Sequence, residues 1–367
     1  RDLDMQPSEW RARACPETPD WMRENPDLAW VATAPGVGLE PYFRMGYPIA
    51  VRMAETPTFA AGEDRAFDLS EMAADLAGGL ADSLEPVAKW GGYDSPHRPP
   101  FFDAVGFLFE DGASGPPTGV GHVLTALVAR FDLPVAEAAR WQALVWAALH
   151  RAGNEVWREK YCRDILRPQT AMDRLYPGLW TNGPAIPSPT FPAFPSGHSC
   201  FGASGYRTML RLLAERGVDG DALPLWMAAP DPERWLRQLT RDGDRLAIRF
   251  DGLSALIEAG GFSRTACGGI HFWHDDVGGQ RIGEAAASLA YRSLLKPRRG
   301  PHRPDLPPLQ ATETGALAER WAVEAAERRG RPAPDLARLD PFAGVPASAR
   351  ASIPPRWAAS GMLMSYA

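Results

Sequence analysis

Lys160 and Arg167 stand seven residues apart with Pro168 behind them, Ser196-Gly197-His198 follows Pro195, and Ser263-Arg264 precedes His271 and Asp275. Together these three segments supply one Lys, two Arg, two His and a Ser-Gly turn, a set suited to gripping a tetrahedral or trigonal oxyanion. Arg offers a planar fork for two oxygens and Lys a compact charge, so the pair suits an anion with several equivalent oxygens. Ser196-Gly197 leads into the small-residue stretch Ser199, Cys200, Gly202, Ala203, Ser204. That predicts a helix start whose N–H groups at Gly197 and His198 face an anion, with the Ser196 hydroxyl as a further donor. His198 in that first turn can act as general acid or base near neutral pH. Asp275, four residues after His271, can hold the imidazole by one nitrogen and leave the other as a nucleophile or ligand.

Other readings attach to the same residues. Lys160 and Arg167 also suit the C-terminal dipole of a helix, and Pro195–His198 an ordinary loop-to-helix turn. His271 and His274 with Asp275 and Asp276 could form a divalent-metal cluster, but positive charge at Lys160, Arg167 and Arg264 would repel a cation, and His274 reads as a structural histidine. The seven-residue spacings place Lys160 and Arg167 on one helical face with Pro168 ending that helix, and His271 two turns after Arg264.

The elements that must position these groups read as helices. Trp141, Leu144, Val145, Ala148, Leu149, Ala152 and Val156 form one apolar stripe, predicting a helix from about 134 to 161, with Asp132 or Leu133 at the cap and Pro134 in the first turn. Another helix starts at Asp68, and further ones are expected at 199–216, 231–240, 251–260, 265–275, 279–295 and 314–329. Period-two runs of Val, Ile and Thr are nearly absent, so the expected class is all-α, a helical bundle. Pro is abundant, 36 of 367 residues, and concentrates in long connections such as the Gly/Pro-rich stretch 91–119. The expected organisation is an irregular arm over 1–60, a helical catalytic domain over 61–300 carrying all three motifs, and a C-terminal helix with a Pro/Ala-rich strap over 301–367.

With 45% hydrophobic residues the chain can bury a large core. Its 39 Lys and Arg against 45 Asp and Glu give no basic field for nucleic acid or anionic membrane, so the basic motifs are local and their partner is a small anion. Apolar runs such as 120–128 and 143–149 are too short to span a bilayer, and a soluble chain without membrane insertion is expected. Of the four cysteines, Cys162, Cys200 and Cys267 fall in or beside the motifs and read as buried filler, since no CxxC pair occurs. The start at Arg1 suggests a mature or trimmed form, secreted or periplasmic.

On these residues the chain resembles the vanadium-dependent haloperoxidases, a family related to the bacterial acid phosphatases and type 2 phosphatidic-acid phosphatases. The shared pattern is Lys-x6-Arg-Pro, then Pro-Ser-Gly-His, then Ser-Arg-x5-His-x3-Asp; the first two are matched in full, and the third carries one extra residue between Arg264 and His271. Thr265 therefore holds the strict-register position, and the expectation is that a one-residue helix bulge returns Arg264 to the site. Trp157, three before Lys160, and Phe191, where algal bromoperoxidases have His, resemble the chloroperoxidase branch and imply the halide environment.

The resemblance implies two four-helix bundles and a vanadate cofactor, whose place phosphate could take. It further implies that His271 binds vanadium, with Asp275 behind it. Lys160, Arg167, Ser196, Gly197, His198 and Arg264 would surround the oxyanion, with Lys160 and His198 sharing in catalysis, and His198 would take the proton of hydrogen peroxide. Halide would then leave as hypohalous acid, with a small organic acceptor downstream. Two alternatives keep the same residues: an acid phosphatase working through a phosphohistidine at His271, and a non-catalytic helical anion-binding protein.

Overall fold

The computed structural model describes most of residues 86–228, together with 246–296 and 362–366. The arm over 1–60, the helices at Asp68, 231–240 and 314–329, and all of 301–367 save the last strand lie outside the described residues. Six helices are labelled among those described: α1 (Gly115–Arg130), α2 (Val135–Arg163), α3 (Pro168–Leu175), α4 (Gly197–Ala214), α5 (Leu253–Arg264) and α6 (Trp273–Ser293). The class is all-α, as the sequence predicts.

α4 is the hub, packing on α1, α2, α5 and α6. The predicted stripe of α2 is buried along its whole length, from Trp141 to Val156, and Ala152 and Val156 meet Cys200 of α4 and Ile282 and Ala286 of α6. The α4–α6 contact is unusually close. A Cβ at Gly279 would lie 2.3 Å from the Ser196 carbonyl oxygen, and one at Gly283 would lie 2.3 Å from that of Cys200. Two glycines one turn apart thus let the α4 backbone settle directly onto α6.

Four features depart from the sequence reading. α1 occupies the end of the stretch expected to be irregular: Pro116 and Pro117 sit in its first turn, where a missing N–H removes no helical bond. Pro168 does not end α2, which stops at Arg163; it opens α3. No helix runs over 265–275; α5 ends at Arg264, a turn occupies 265–272, and α6 starts at Trp273. Gly269 takes φ +69° in that turn, with its Cα side pressed on Gly91, which no side-chain-bearing residue would fit. Finally, the helices are joined by a three-stranded antiparallel sheet, β1 (Pro224–Ala228), β2 (Leu246–Asp251) and β3 (Met362–Tyr366), with β2 central. Its third strand comes from the tail expected to be a strap.

Candidate active site

The three motif segments converge beside the N-terminus of α4. Lys160, on the last turns of α2, is 1% exposed, and its Nζ donates to the carbonyls of Pro192 and Ala193, both at 2.9 Å. Arg167 leaves from the connection after α2 and not from its face, yet it reaches the same place. Its Nε donates to the Phe191 carbonyl at 2.8 Å and its Nη1 to the Ile270 carbonyl at 2.7 Å. Both cations lie over the Phe191 ring, at 5.2 Å for Lys160 Nζ and 4.8 Å for Arg167 Cζ, and Trp157 meets that ring edge-on with centroids 4.8 Å apart. The aromatic face attracts both charges. Burial, with Arg167 adding to it, pushes the Lys160 amine well below its ordinary pKa.

Ser196 caps α4, its Oγ accepting from Ser199 N at 3.4 Å, and its own N–H donates to the Asp275 carbonyl at 2.8 Å. That bond and the glycine contact of α6 fix the helix start against the third motif. A Cβ at Gly197 would meet no heavy atom within 4 Å, so there is room beside the first N–H groups of α4.

His271 lies in the 265–272 turn, where its Nδ1 donates to Asp275 Oδ2 at 3.0 Å. The same oxygen accepts from Phe272 N at 2.8 Å, and Asp275 Oδ1 lies 3.1 Å from His274 Nε2. Although burial opposes it, His274 and His271 hold the Asp275 carboxyl well below the usual carboxylate range. With its proton on Nδ1, His271 turns the Nε2 lone pair toward Arg167 Nη1, 3.0 Å away. Burial, then Arg167, pushes the His271 pKa well down, against the pull of Asp275. His274 stacks on Phe272 with centroids 5.3 Å apart, while Asp276 turns aside to accept from Gln280 Nε2 at 2.9 Å.

His198 Nε2 lies 3.1 Å from the Phe109 carbonyl. A carbonyl only accepts, so Nε2 carries the proton and Nδ1 the lone pair. Burial pushes His198 down to about 4, the Phe109 bond opposing this and Arg167 and Lys160 adding to it. Arg264 is fully buried, and burial lowers its guanidinium to about 9. Its Nη2 donates to the Gly106 carbonyl at 2.6 Å and its Nε to Ser263 Oγ at 3.0 Å. No helix bulge accommodates the extra residue: Thr265 N bonds Gly261 O at the helix end, and Ile270 N and His271 N close on the Arg264 carbonyl at 3.1 and 3.0 Å. Cys200 and Cys267 are buried thiols, and burial pushes the Cys200 pKa up. The side chain of Cys162 lies outside the described residues. Sequence reasoning missed the carbonyls of Gly106 and Phe109, which leave no residue-type signal, and also Gly279 and Gly283, whose four-residue spacing in a predicted helix was a legible sign of close packing.

Residues 179–300 match the family described as the VCPO second helical-bundle domain. Over that segment, and in fold, the chain is similar to the vanadium-dependent haloperoxidases. The matched segment holds the second and third motifs, β1, β2, α5 and α6. Among solved structures, the apo form of a bacterial vanadium-dependent chloroperoxidase is 18% identical with a TM-score of 0.53, covering 66% of this chain and 55% of that one. The holo form of such a chloroperoxidase gives 18% identity and a TM-score of 0.51, with 66% and 54% covered. A bacterial vanadium-dependent iodoperoxidase gives 16% and 0.46, with 65% and 52%. The chain thus spans about half the length of these haloperoxidase structures, and the likeness is one of fold. No curated protein matches it. Among the described residues, no helix is long and apolar enough to cross a membrane.

Proposed function

We propose that this chain holds vanadate and uses it to oxidise halide with hydrogen peroxide and a proton, giving hypohalous acid and water. The observation that carries this reading is the convergence of two buried cations, Lys160 and Arg167, with the Nε2 of a carboxylate-held His271 beside a helix N-terminus that has open room. This donor set fits an oxyanion. Among the described residues Lys160 hydrogen-bonds only carbonyl oxygens, and the one carboxylate nearby, Asp275, is committed to His271, Phe272 N and His274. Lys160, Arg167, the Ser196 hydroxyl and the N–H groups of Gly197 and His198 would hold the oxygens, and His271 Nε2 would bind vanadium.

Bound there, vanadate supplies a Lewis-acid centre that activates peroxide for oxygen transfer without changing its own oxidation state. The protein's part is to keep that centre positively surrounded and to move protons. Lys160 and Arg167, buried over Phe191, set a positive field that favours attack by a halide. His198, uncharged near neutral pH, offers Nδ1 as a proton acceptor for an incoming peroxide, its Nε2 being tied to Phe109. Asp275 fixes the His271 tautomer and so keeps Nε2 as the ligand. Trp157 and Phe191 give an apolar wall on which a weakly hydrated halide could rest.

The test is halogenation of monochlorodimedone with chloride, bromide and iodide, with and without added vanadate, beside hydrolysis of p-nitrophenyl phosphate. Peroxide- and vanadate-dependent halogenation is expected. Phosphate-ester hydrolysis without halogenation would replace this reading with a phosphohistidine phosphatase, and inactivity in both by folded protein with an anion-binding role.

A further inference from the structure

Arg264 and His198 come from different helices, yet each ends on a carbonyl of the same short segment. Gly106 receives Arg264 Nη2 at 2.6 Å and Phe109 receives His198 at 3.1 Å. Three residues apart in a helical stretch, these carbonyls fall on one side of it. The segment is wedged in place by aromatic contacts. Phe102 meets Phe262 of α5 edge-on with centroids 4.9 Å apart, and Phe109 meets Phe250 of β2 at 6.1 Å. Gly106 rests near Ile186 and Cys267, to which an added Cβ would come within 3.4 and 3.7 Å.

The turn before His271 sets the two ends of Arg264 apart. Because the turn closes on the Arg264 carbonyl, it brings His271 to the arginine's backbone, while the side chain is aimed by Ser263 Oγ toward Gly106. Ser263 is itself fixed by donating to the Gly260 carbonyl at 2.6 Å.

We propose that Arg264 is a positioning residue and not a holder of the oxyanion: through Gly106 it pins the stretch that bears Phe102, Gly106 and Phe109, whose Phe109 carbonyl orients the ring of His198. This rests on the reading of the site above. In that reading Lys160, Arg167, Ser196, the α4 N-terminus and His271 complete the anion site, and Arg264 serves the proton carrier.

Side-chain NMR of the full chain separates the two roles. Titration with orthovanadate alone, and with orthophosphate alone, is expected to move the Arg167 Nε signal and leave that of Arg264 in place; an Arg264 signal that saturates together with Arg167 would overturn the proposal. In ligand-free protein the His198 ring is expected wholly in the Nε2–H tautomer, in Arg264→Gln as a mixture of tautomers, and in Arg264→Lys, which keeps a donor for Gly106, restored. A pure Nε2–H tautomer in Arg264→Gln overturns the positioning role. Should the Gln variant not fold, Arg264→Lys alone decides: vanadate affinity within about threefold of wild type supports the proposal, and a loss of about tenfold or more, as for a missing ligand, defeats it. If neither anion moves Arg167, the reading of the site itself fails, and the ligand-free tautomer still judges the positioning claim.

Discussion

The two ends of α4 treat charge in opposite ways. At the C-terminal end, Glu215 accepts Arg140 through two bonds of 2.8 and 3.1 Å and the Tyr291 hydroxyl at 2.6 Å. Nearby, Arg216 pairs with Glu137, and Arg207 and Arg211 pair with Glu284. Every cation named there has a carboxylate. At the N-terminal end, among the described residues, Lys160 hydrogen-bonds two carbonyls and the Asp275 carboxylate is held by His271 and Phe272 N. The first end is neutralised by folding itself and ties α2, α4 and α6 together. At the second, Lys160 is buried against neutral carbonyls, which is a cost that an arriving anion would offset.

The sharpest way to break this contrast is to remove the group proposed to bond the metal. His271→Ala is expected to weaken vanadate binding by about 100-fold or more, read by calorimetry, while Glu215→Gln at the opposite end leaves it within about twofold. Equal losses in both variants would make the contrast one of general stability. His198→Ala should retain most of the affinity and lose turnover by about 10²- to 10⁴-fold.

Acid is the next test, and its sign follows from the His198 shift. With the folded pKa at about 4 and the unfolded one near 6.5, the unfolded state takes up a proton that the folded state refuses as pH falls between these values. Stability is therefore full above about 6.5 and is lost down to about 4, by roughly 3 kcal/mol from this one group. Melting temperatures across that window should fall in ligand-free protein. Orthophosphate or vanadate, by offsetting the charges of Lys160 and Arg167, should raise them and flatten the slope. A flat profile without ligand would mean that His198 is not held uncharged.

The geometry that unites the two ends can also be strained directly. A methyl at Gly279 would meet the Ser196 carbonyl at 2.3 Å, and backbone cannot yield as a side chain tip can. Gly279→Ala should cost about 1–3 kcal/mol in denaturant unfolding and, by shifting the capping residue, weaken phosphate binding. Unchanged binding would show that the α4 start is set independently of α6.

What could be read in advance divides along the same physical line. The α2 stripe was legible because seven apolar residues repeat at the helical period without interruption, and the motif residues were legible because their chemistry is in their side chains. α1 was hidden by Pro116 and Pro117, which break a helix interior but suit its first turn. β2 was hidden because Leu246–Asp251 is short and pairs with Met362–Tyr366, more than a hundred positions away, so nothing local marks it. The turn over 265–272 was read as helix from the seven-residue spacing of Arg264 and His271; Gly268 and Gly269 were the contrary signal. The carbonyls of Gly106 and Phe109 could not be read at all, because every residue has a carbonyl and only the fold selects which ones face a cation.

The smallest expected effect is also the most discriminating, because it compares stability alone at the two ends. Lys160→Met removes a buried charge whose partners are two neutral carbonyls, and keeps an unbranched apolar stem of similar length. The lost hydrogen bonds and the relieved desolvation oppose each other, so ligand-free stability should change by less than about 1 kcal/mol. Glu215→Gln leaves Arg140 facing a neutral amide at a part-buried site and should cost about 1 kcal/mol. The two variants separate once anion is added: orthophosphate should raise the melting temperature of Glu215→Gln as it does that of wild type, and should leave Lys160→Met unmoved. If Lys160→Met proved the more damaging in ligand-free protein and still gained from phosphate, Lys160 would be a structural pin of the 191–195 loop, and the positive end of α4 would owe its charge to Arg167.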